Sequence, residues 1–544
     1  MPELLHPGVY VQELPAAVKP IEGVSTSTAA FVGIADKGPI PGTNLPNGRP
    51  AQAFMVTSFA EYTRNFGGFR ADSYLSYAAR GFFDNGGRRL YIVRVAKNAV
   101  SSIATIAESP SVPAKELAIS ASSQGKWGDN LWVQVTDASN GDATNFRLLV
   151  MQGATLDDAK ANVLESFDDL APKSGVATDP VPVNYVKNVV NTRSEFIVVT
   201  NDITARPTTA TGPTRLGGGD DGAALGSSDY IGTGADPAFS FSGSGVHALD
   251  KITDVSLLAI PGQGDKQTIN GAMAYCKNQR PLQDVFFIGD IGTLDPPLAR
   301  TVGAQPVDAG TIAEARTFIL DTTTPIDKSA GDYGALYYPW FRSADPLGLG
   351  RNPLILLPPS GAMAGVYARI DNSRGVFKAP AGTEAGVAGA VSAATTVSDT
   401  EQDRLNPINL NVIRVVPTAG LVAWGTRTIG SDPGWRYVPV RRMAIFLRTS
   451  IYYGIQWAVF EPNDAPLWSG LRLNIRAFML TQFRAGAFQG SKPDDAFFVI
   501  CDATTTTQQD IDNGVVNILV GFAPLKPAEF VVLKLSQKVN QSPA

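Results

Sequence analysis

Short apolar runs recur along most of this chain, at 30–34, 90–95, 255–260, 285–288, 335–338 and 354–357, separated by stretches long enough to hold a helix. Parallel strands need crossovers of a dozen or more residues, so this spacing predicts an α/β domain built on a parallel sheet. Two of the crossover helices can be read directly. Ser58 and Glu61 form a capping box that opens a short helix ending at Gly67-Gly68. The stretch 72–84 places Leu75, Ala78, Ala79, Phe82 and Phe83 on one side and stops at Asn85-Gly86-Gly87. The pattern breaks between about 100 and 230, where Ser, Thr, Asp and Gly dominate and β-type runs appear at 131–135, 146–151 and 196–200. That region reads as a β-rich insertion dividing the α/β domain into halves at 23–99 and 231–404.

The two ends differ from the middle. Residues 1–22 carry Pro2, Pro7, Pro15 and Pro20 without helical periodicity, which predicts an extended arm in which Val9, Tyr10 and Val11 pair as a short strand. A linker rich in Ala, Gly and Thr at 376–400 closes the α/β domain, and a last domain spans 405–525. In that domain Val440, Met443, Ala444, Leu447 and Ile451 share one helix face, with Arg441, Arg442 and Arg448 elsewhere on the surface. A β-prone stretch at 456–460 follows and is broken by Glu461-Pro462-Asn463-Asp464. Asp464 caps a second helix with Pro466 in its first turn. Its apolar stripe of Leu471, Ile475, Phe478 and Met479 is flanked by Arg472 and Arg476. Residues 526–544 form a C-terminal arm, with Phe530, Val531, Val532, Leu533 and Leu535 as a strand that has no local hairpin partner.

A chain of 544 residues exceeds one hydrophobic core and predicts about three or four domains. Cys276 and Cys501 are the only cysteines, which argues against a disulfide framework. No charged, apolar signal segment opens the sequence and no apolar run approaches the ~20 residues of a bilayer span, so the expectation is a soluble protein made in the cytoplasm, without membrane insertion. Net charge is −5, yet 405–492 holds ten Lys/Arg against three acids, a local excess of +7. Such a basic module suggests an acidic partner. The basic residues are dispersed without a recognition motif, so nucleic acid is not expected.

The chemistry of a catalytic site is missing. His6 and His247 are the only histidines, no G-x-S-x-G elbow occurs, and Ser360 in Pro358-Pro359-Ser360-Gly361 has no histidine near it in sequence. Four Cys and His residues scattered through the chain do not supply a zinc site. Gly217-Gly218-Gly219-Asp220-Asp221-Gly222 lacks the ending of a P-loop and the spaced acids of an EF-hand, and reads as a turn at the insertion boundary. No catalytic residue, cofactor or metal is expected.

Several stretches resemble the contractile tail sheath proteins. They are Pro7-Gly8-Val9-Tyr10-Val11-Gln12-Glu13 with 20–39, Gly125-Lys126-Trp127-Gly128-Asp129-Asn130, Tyr337-Tyr338-Pro339-Trp340, Pro358 to Gly361, 364–369, 433–468, and Lys526-Pro527-Ala528-Glu529-Phe530. The resemblance implies a multidomain α/β protein: a split, subtilisin-like middle domain, a β-rich inserted outer domain, an α+β C-terminal inner domain facing a tube, and extended N- and C-terminal arms. It implies that Val9, Tyr10, Val11 and Gln12, and Phe530, Val531, Val532, Leu533 and Leu535, are strands exchanged between neighbouring subunits. Implied partners are further copies in a helical homopolymer of hexameric rings, an inner tube protein, and baseplate and tail terminator proteins. The particle is a phage tail or another contractile injection system, assembled from protein made in a host bacterium. Arg472 and Arg476 are the candidates for touching an acidic tube, the alternative being ion pairs within the sheath. A reading of a different class, a subtilisin-like serine hydrolase, rests on the fold analogy alone.

Overall fold

The computed structural model describes residues 20–108, 116–174, 178–209, 212–235, 243–294, 305–349 and 353–530. The chain divides into two compact units. The larger holds residues 25–373 and 380–436; the smaller holds 437 onward, joined by 374–379 and the segment up to Val24.

In the larger unit eight strands form one sheet, in the order Phe54–Val56, Arg89–Arg94, Thr28–Gly33, Leu257–Ala259, Phe286–Asp290, Gly334–Tyr338, Asn411–Val416, Gly420–Ala423. The six inner strands run parallel and the two short outer ones antiparallel. Helices cover such a sheet on both faces, and so its strands read as unbroken apolar runs: every residue of Thr28–Gly33, Phe286–Asp290 and Gly334–Tyr338 is buried. The helix Phe59–Phe66 starts where the sequence places it, with Ser58 accepting from the Glu61 N–H at 3.2 Å. Glu61 does not close the box; its carboxylate takes the N–H and hydroxyl of Thr57 instead. The next helix is Leu75–Asp84, beginning later than Asp72 because that carboxylate is committed to Arg70 and Ser73 meets the Leu75 N–H.

Two expectations are corrected here. Leu354–Leu357 is not a strand of the parallel sheet. It pairs antiparallel with Phe341–Ala344 in a separate three-stranded sheet, because the few residues between them leave room for a hairpin but not for a crossover helix. Conversely, Asn411–Val416 and Gly420–Ala423 belong to the main sheet, and the larger unit runs to Arg436 instead of ending near 405.

The region between 103 and 215 folds as two antiparallel sheets, Ile103–Ala107 with Glu116–Ala121 and Ile197–Val199, and Thr214–Arg215 with Leu131–Asp137, Phe146–Gln152 and Val163–Leu170. Alternate residues of Leu131–Asp137 are buried, as one solvated face requires. Leu131, Val133, Phe146 and Leu148 share a core there with Leu117, Ile119 and Val190.

A buried arginine ties these sheets to the parallel sheet. Arg94, at the end of its strand and 2% exposed, donates to the carbonyls of Ala35, Gly38, Asp36 and Gln124 at 2.8–3.2 Å. Burial is the main reason its pKa falls, to about 10. Beside it Arg70 bridges Asp36, Asp72 and Asp221. The glycine-rich turn closes against this junction: Asp221 accepts from the Lys126 N–H, and Asp129 from the Gly219 N–H and Ser102 hydroxyl. Gly125 sits at φ +126, and a Cβ there would lie 2.9 Å from the Asp36 carbonyl oxygen.

At the carboxyl end of the sheet, Asp290 accepts from the Ser360 N–H and hydroxyl, both at 2.7 Å, and from the Gly262 N–H at 3.0 Å. This fixes the start of the Ser360–Arg374 helix against the sheet, a favourable place for a carboxylate. Desolvation outweighs those bonds and lifts Asp290 to about 6.

Two outcomes follow from these buried groups. Arg94→Met leaves four carbonyls without their donor and should destabilise the larger unit by about 2–4 kcal/mol, with faster proteolysis around 217–222; calorimetry and limited proteolysis check it. A melting temperature equal to the wild type would contradict the role given to Arg94. For Asp290 the folded pKa lies above the ordinary value of 3.8, so its contribution is complete below about pH 4 and is lost as pH rises through about 6. The stability difference between wild type and Asp290→Asn should therefore shift against the wild type by up to ~3 kcal/mol from pH 4 to pH 7 in denaturant titrations, and a flat difference would contradict it.

Candidate functional site

The smaller unit is built on two long helices. Val438–Gly454 has Pro439 in its first turn. Ala465–Arg484 is capped by Asp464, whose side chain accepts from the Leu467 N–H at 3.1 Å, with Pro466 in the first turn as the sequence predicts. The second helix buries Leu467, Trp468, Leu471, Ile475, Phe478 and Met479, the three-and-four spacing of one helix face. Met443 and Leu447 of the first helix share that core, and the rings of Phe446 and Phe478 lie 5.9 Å apart.

Arg441 and Arg442 are buried, at 7% and 4% exposure, where the sequence placed them on the surface. Periodicity shows the strongest apolar face of a helix but not how many faces the fold covers. On the apolar face, Val376 and Ile21, remote in sequence, join the core around Met443 and Leu447. Burial, with Arg448 nearby as a lesser cause, lowers Arg441 to about 9. Ile21 also corrects the extent of the expected arm. It packs where a Cβ on Gly454 would come within 2.6 Å of it, while the Val24 N–H donates to Ser450 Oγ at 3.1 Å. The arm cannot therefore begin its independence later than Pro20.

The stretch 456–460 is not a strand. Gln456–Ala458 is a single 3-10 turn, continued by a Glu461 N–H bond to the Ala458 carbonyl, because Ile455, Trp457 and Ala458 pack inward on Leu467, Trp468 and Leu471.

The sheet of this unit escaped the sequence reading. Phe497–Ile500 and Leu519–Phe522 pair as an antiparallel ribbon of two strands resting on the Ala465–Arg484 helix. The apolar run from Val515 to Val520 was the available signal. The Ala523 N–H donates to the Ala496 carbonyl at 2.8 Å, which makes that pair a hydrogen-bonded one. By the alternation of an antiparallel ladder, the main-chain groups of Phe497 and Val499 then point away from one side of the ribbon, where the Phe497 N–H is already taken by the Pro493 carbonyl, and those of Val520 and Phe522 from the other. Among the described residues no strand pairs with either outer edge. Two-stranded ribbons are marginal alone, and this one gains its stability from Phe497 and Val499 in the helical core.

Of the expected exchange strands, Val9, Tyr10, Val11, Gln12, Val531, Val532, Leu533 and Leu535 lie outside the described residues. Phe530 is described; it is outside any strand and 76% exposed. Just before it, the Tyr437 hydroxyl donates to Glu529 at 3.2 Å.

The basic excess is answered in part within the fold. Arg472 stands 3.9 Å from Asp502 and donates to the Cys501 carbonyl, and Arg476 pairs with Asp494 at 2.7 Å and lies over the Phe497 ring. Both acids lie beyond the 405–492 window. Arg414 pairs with Asp399, just before it. The two guanidinium-bearing side chains remain 41% and 48% exposed.

Ser360 is fully buried in its bonds to Asp290, and His247 Nδ1 is 3.1 Å from Asp250 with its ring against Tyr275. His6 lies outside the described residues. Among the described residues no cluster of three His, Cys, Asp or Glu is placed to hold a metal, and no helix is long and apolar enough to cross a membrane.

Residues 246–429 match the profile of the phage tail sheath protein central domain, and residues 430–538 that of the phage tail sheath C-terminal domain. No curated protein matches the chain in sequence. Among solved structures it is similar to the sheath of an extracellular contractile injection system, the PVC sheath complex in its contracted state, with 21% identity over 99% of each chain and a TM-score of 0.54. It is similar also to the helical sheath of the anti-feeding prophage in its contracted state, with 21% identity over 98% of this chain and 99% of that one, TM-score 0.53. The sheath tail protein of Listeria innocua is 12% identical over 94% and 97% of the two chains, TM-score 0.56. These likenesses show the fold, and the two profiles together span more than half of the sequence. The chain belongs to the contractile tail sheath family.

Proposed function

We propose that this chain is the repeating subunit of a contractile sheath, stacked as rings around an inner tube that it drives through a target envelope by shortening. The observation that carries the mechanism is the ribbon Phe497–Ile500/Leu519–Phe522, whose two outer edges are unpaired among the described residues. An added strand gains main-chain hydrogen bonds worth about 1 kcal/mol each, with alternate side chains adding packing. Val9, Tyr10, Val11 and Gln12 of one neighbour, and Phe530, Val531, Val532, Leu533 and Leu535 of another, are the strands assigned to those edges. Since the donor and acceptor surfaces differ, the contact propagates without closing.

In this reading the two compact units move as bodies during shortening while the exchanged strands hold the mesh together. The inserted β-rich region takes the outer position and the smaller unit the inner one. Arg472 and Arg476, engaged with Asp502 and Asp494 yet about half exposed, keep a face for a carboxylate of the tube. A baseplate supplies the trigger and a terminator protein caps the polymer. The same mechanics serve a phage tail and a phage-derived injection particle. The hydrolase reading has no observation in its favour, since Ser360 is closed off and holds a helix start.

The packing of Ile21 and Val24 sets where the test must cut. Removing residues 1–19 should leave the melting temperature within about 1 °C of the wild type and abolish ordered tubes, as read by sedimentation and negative-stain microscopy. Tubes of normal length from the truncated chain would show that the N-terminal strand does not link the subunits.

A further inference from the structure

Phe460 is the most exposed large apolar residue among those described, at 103% of its reference area, and it stands at φ +70. Either property is unfavourable for a bulky side chain. Left-handed backbone strains any residue with a Cβ, and a phenyl ring in water gives up the burial that would repay it. The surrounding loop is not loose. Its other apolar residues, Ile455, Trp457 and Ala458, are packed against Leu467, Trp468 and Leu471. On the far side the Asn463 side chain donates to the Val515 carbonyl at 3.1 Å and accepts from the Trp468 indole at 2.8 Å. The loop is therefore braced at both ends, with Phe460 held outward and Val459 beside it 58% exposed. A rigid aromatic residue presented this way loses little freedom on binding, as an interface anchor should.

The bond from Asn463 to Val515 also places the loop beside the chain that enters the ribbon strand Leu519–Phe522. Val515 and Leu519 are 42% and 52% exposed, so apolar surface is continuous in sequence with the edge assigned above to strand addition. A subunit whose strand adds to that edge brings its own body to this surface.

We infer that Phe460 anchors the contact with a second copy of this chain, which buries it on assembly. The inference rests on the sheath reading but not on which residues form the exchanged strands.

The test uses the full-length chain, purified without tube protein, in three variants. Phe460→Gly removes the ring and relieves the positive φ, so the unassembled chain should melt at or above the wild-type temperature. Its critical concentration for polymerisation should nevertheless rise at least tenfold in sedimentation assays. Phe460→Ser should show the same assembly defect, and Phe460→Leu should recover most of the wild-type behaviour, since an apolar anchor is kept. Polymerisation of the Gly and Ser variants at the wild-type concentration would overturn the inference and leave the sheath reading standing. Normal self-assembly combined with failure to coat the inner tube would overturn it too, by assigning Phe460 to the tube. A wild-type chain that forms no polymer under any condition would overturn both readings.

Discussion

Every main-chain amide and carbonyl removed from water needs a partner, and this chain meets that requirement differently in the main sheet of its larger unit and the ribbon of its smaller one. At one end of the eight-stranded sheet the segment 382–387 exchanges main-chain bonds with Leu421 and Ala423, and at the other the last strand is only three residues long. The ribbon of the smaller unit has no such closure among the described residues. Its inward face is fixed by Phe497 and Val499 in the helical core, while the outward main-chain groups of Val499, Val520 and Phe522 stay available.

The closed part is stiffened by buried polar groups instead of by apolar packing alone. Arg94 gathers the carbonyls of Ala35, Asp36 and Gly38, from the loop after the Thr28–Gly33 strand, and that of Gln124, from the inserted region. Removing such a group leaves its partners unpaired in a dry site, which makes the arrangement all-or-none. The inserted sheets are thereby held to the body that carries them. Asp290 plays a similar part at the end of its own strand, where a serine and a carboxylate resembling catalytic parts are consumed in anchoring a helix.

Much of this was legible in the sequence because it depends on periodicity and local capping. Five of the six parallel strands, the Phe59–Phe66 helix and the Asp464 cap follow from apolar runs, Ser58, Gly67 and Pro466. What was not legible depends on residues far apart in the chain. Arg441 and Arg442 read as surface because their charge sets them off the helix's apolar face, and burial of a second face depends on segments remote in sequence. Arg472 and Arg476 read as unpaired because their acids, Asp502 and Asp494, lie just past the basic stretch. The 456–460 stretch has strand-forming residues, but Trp457 and Ala458 have a core to enter and no strand to pair with. The ribbon itself was missed because its two strands are separated by a helix and loops, so no hairpin signal joins them.

The central claim is that the open edges of the ribbon are completed by strands from other copies. Amide hydrogen exchange at Val499, Val520 and Phe522, compared between the unassembled chain and the polymer, tests it most directly. The account expects fast exchange at these amides before assembly and protection of at least a hundredfold in the polymer, about 3 kcal/mol of opening free energy. Equal exchange in the two states, whether fast in both or already slow in the unassembled chain, would contradict it.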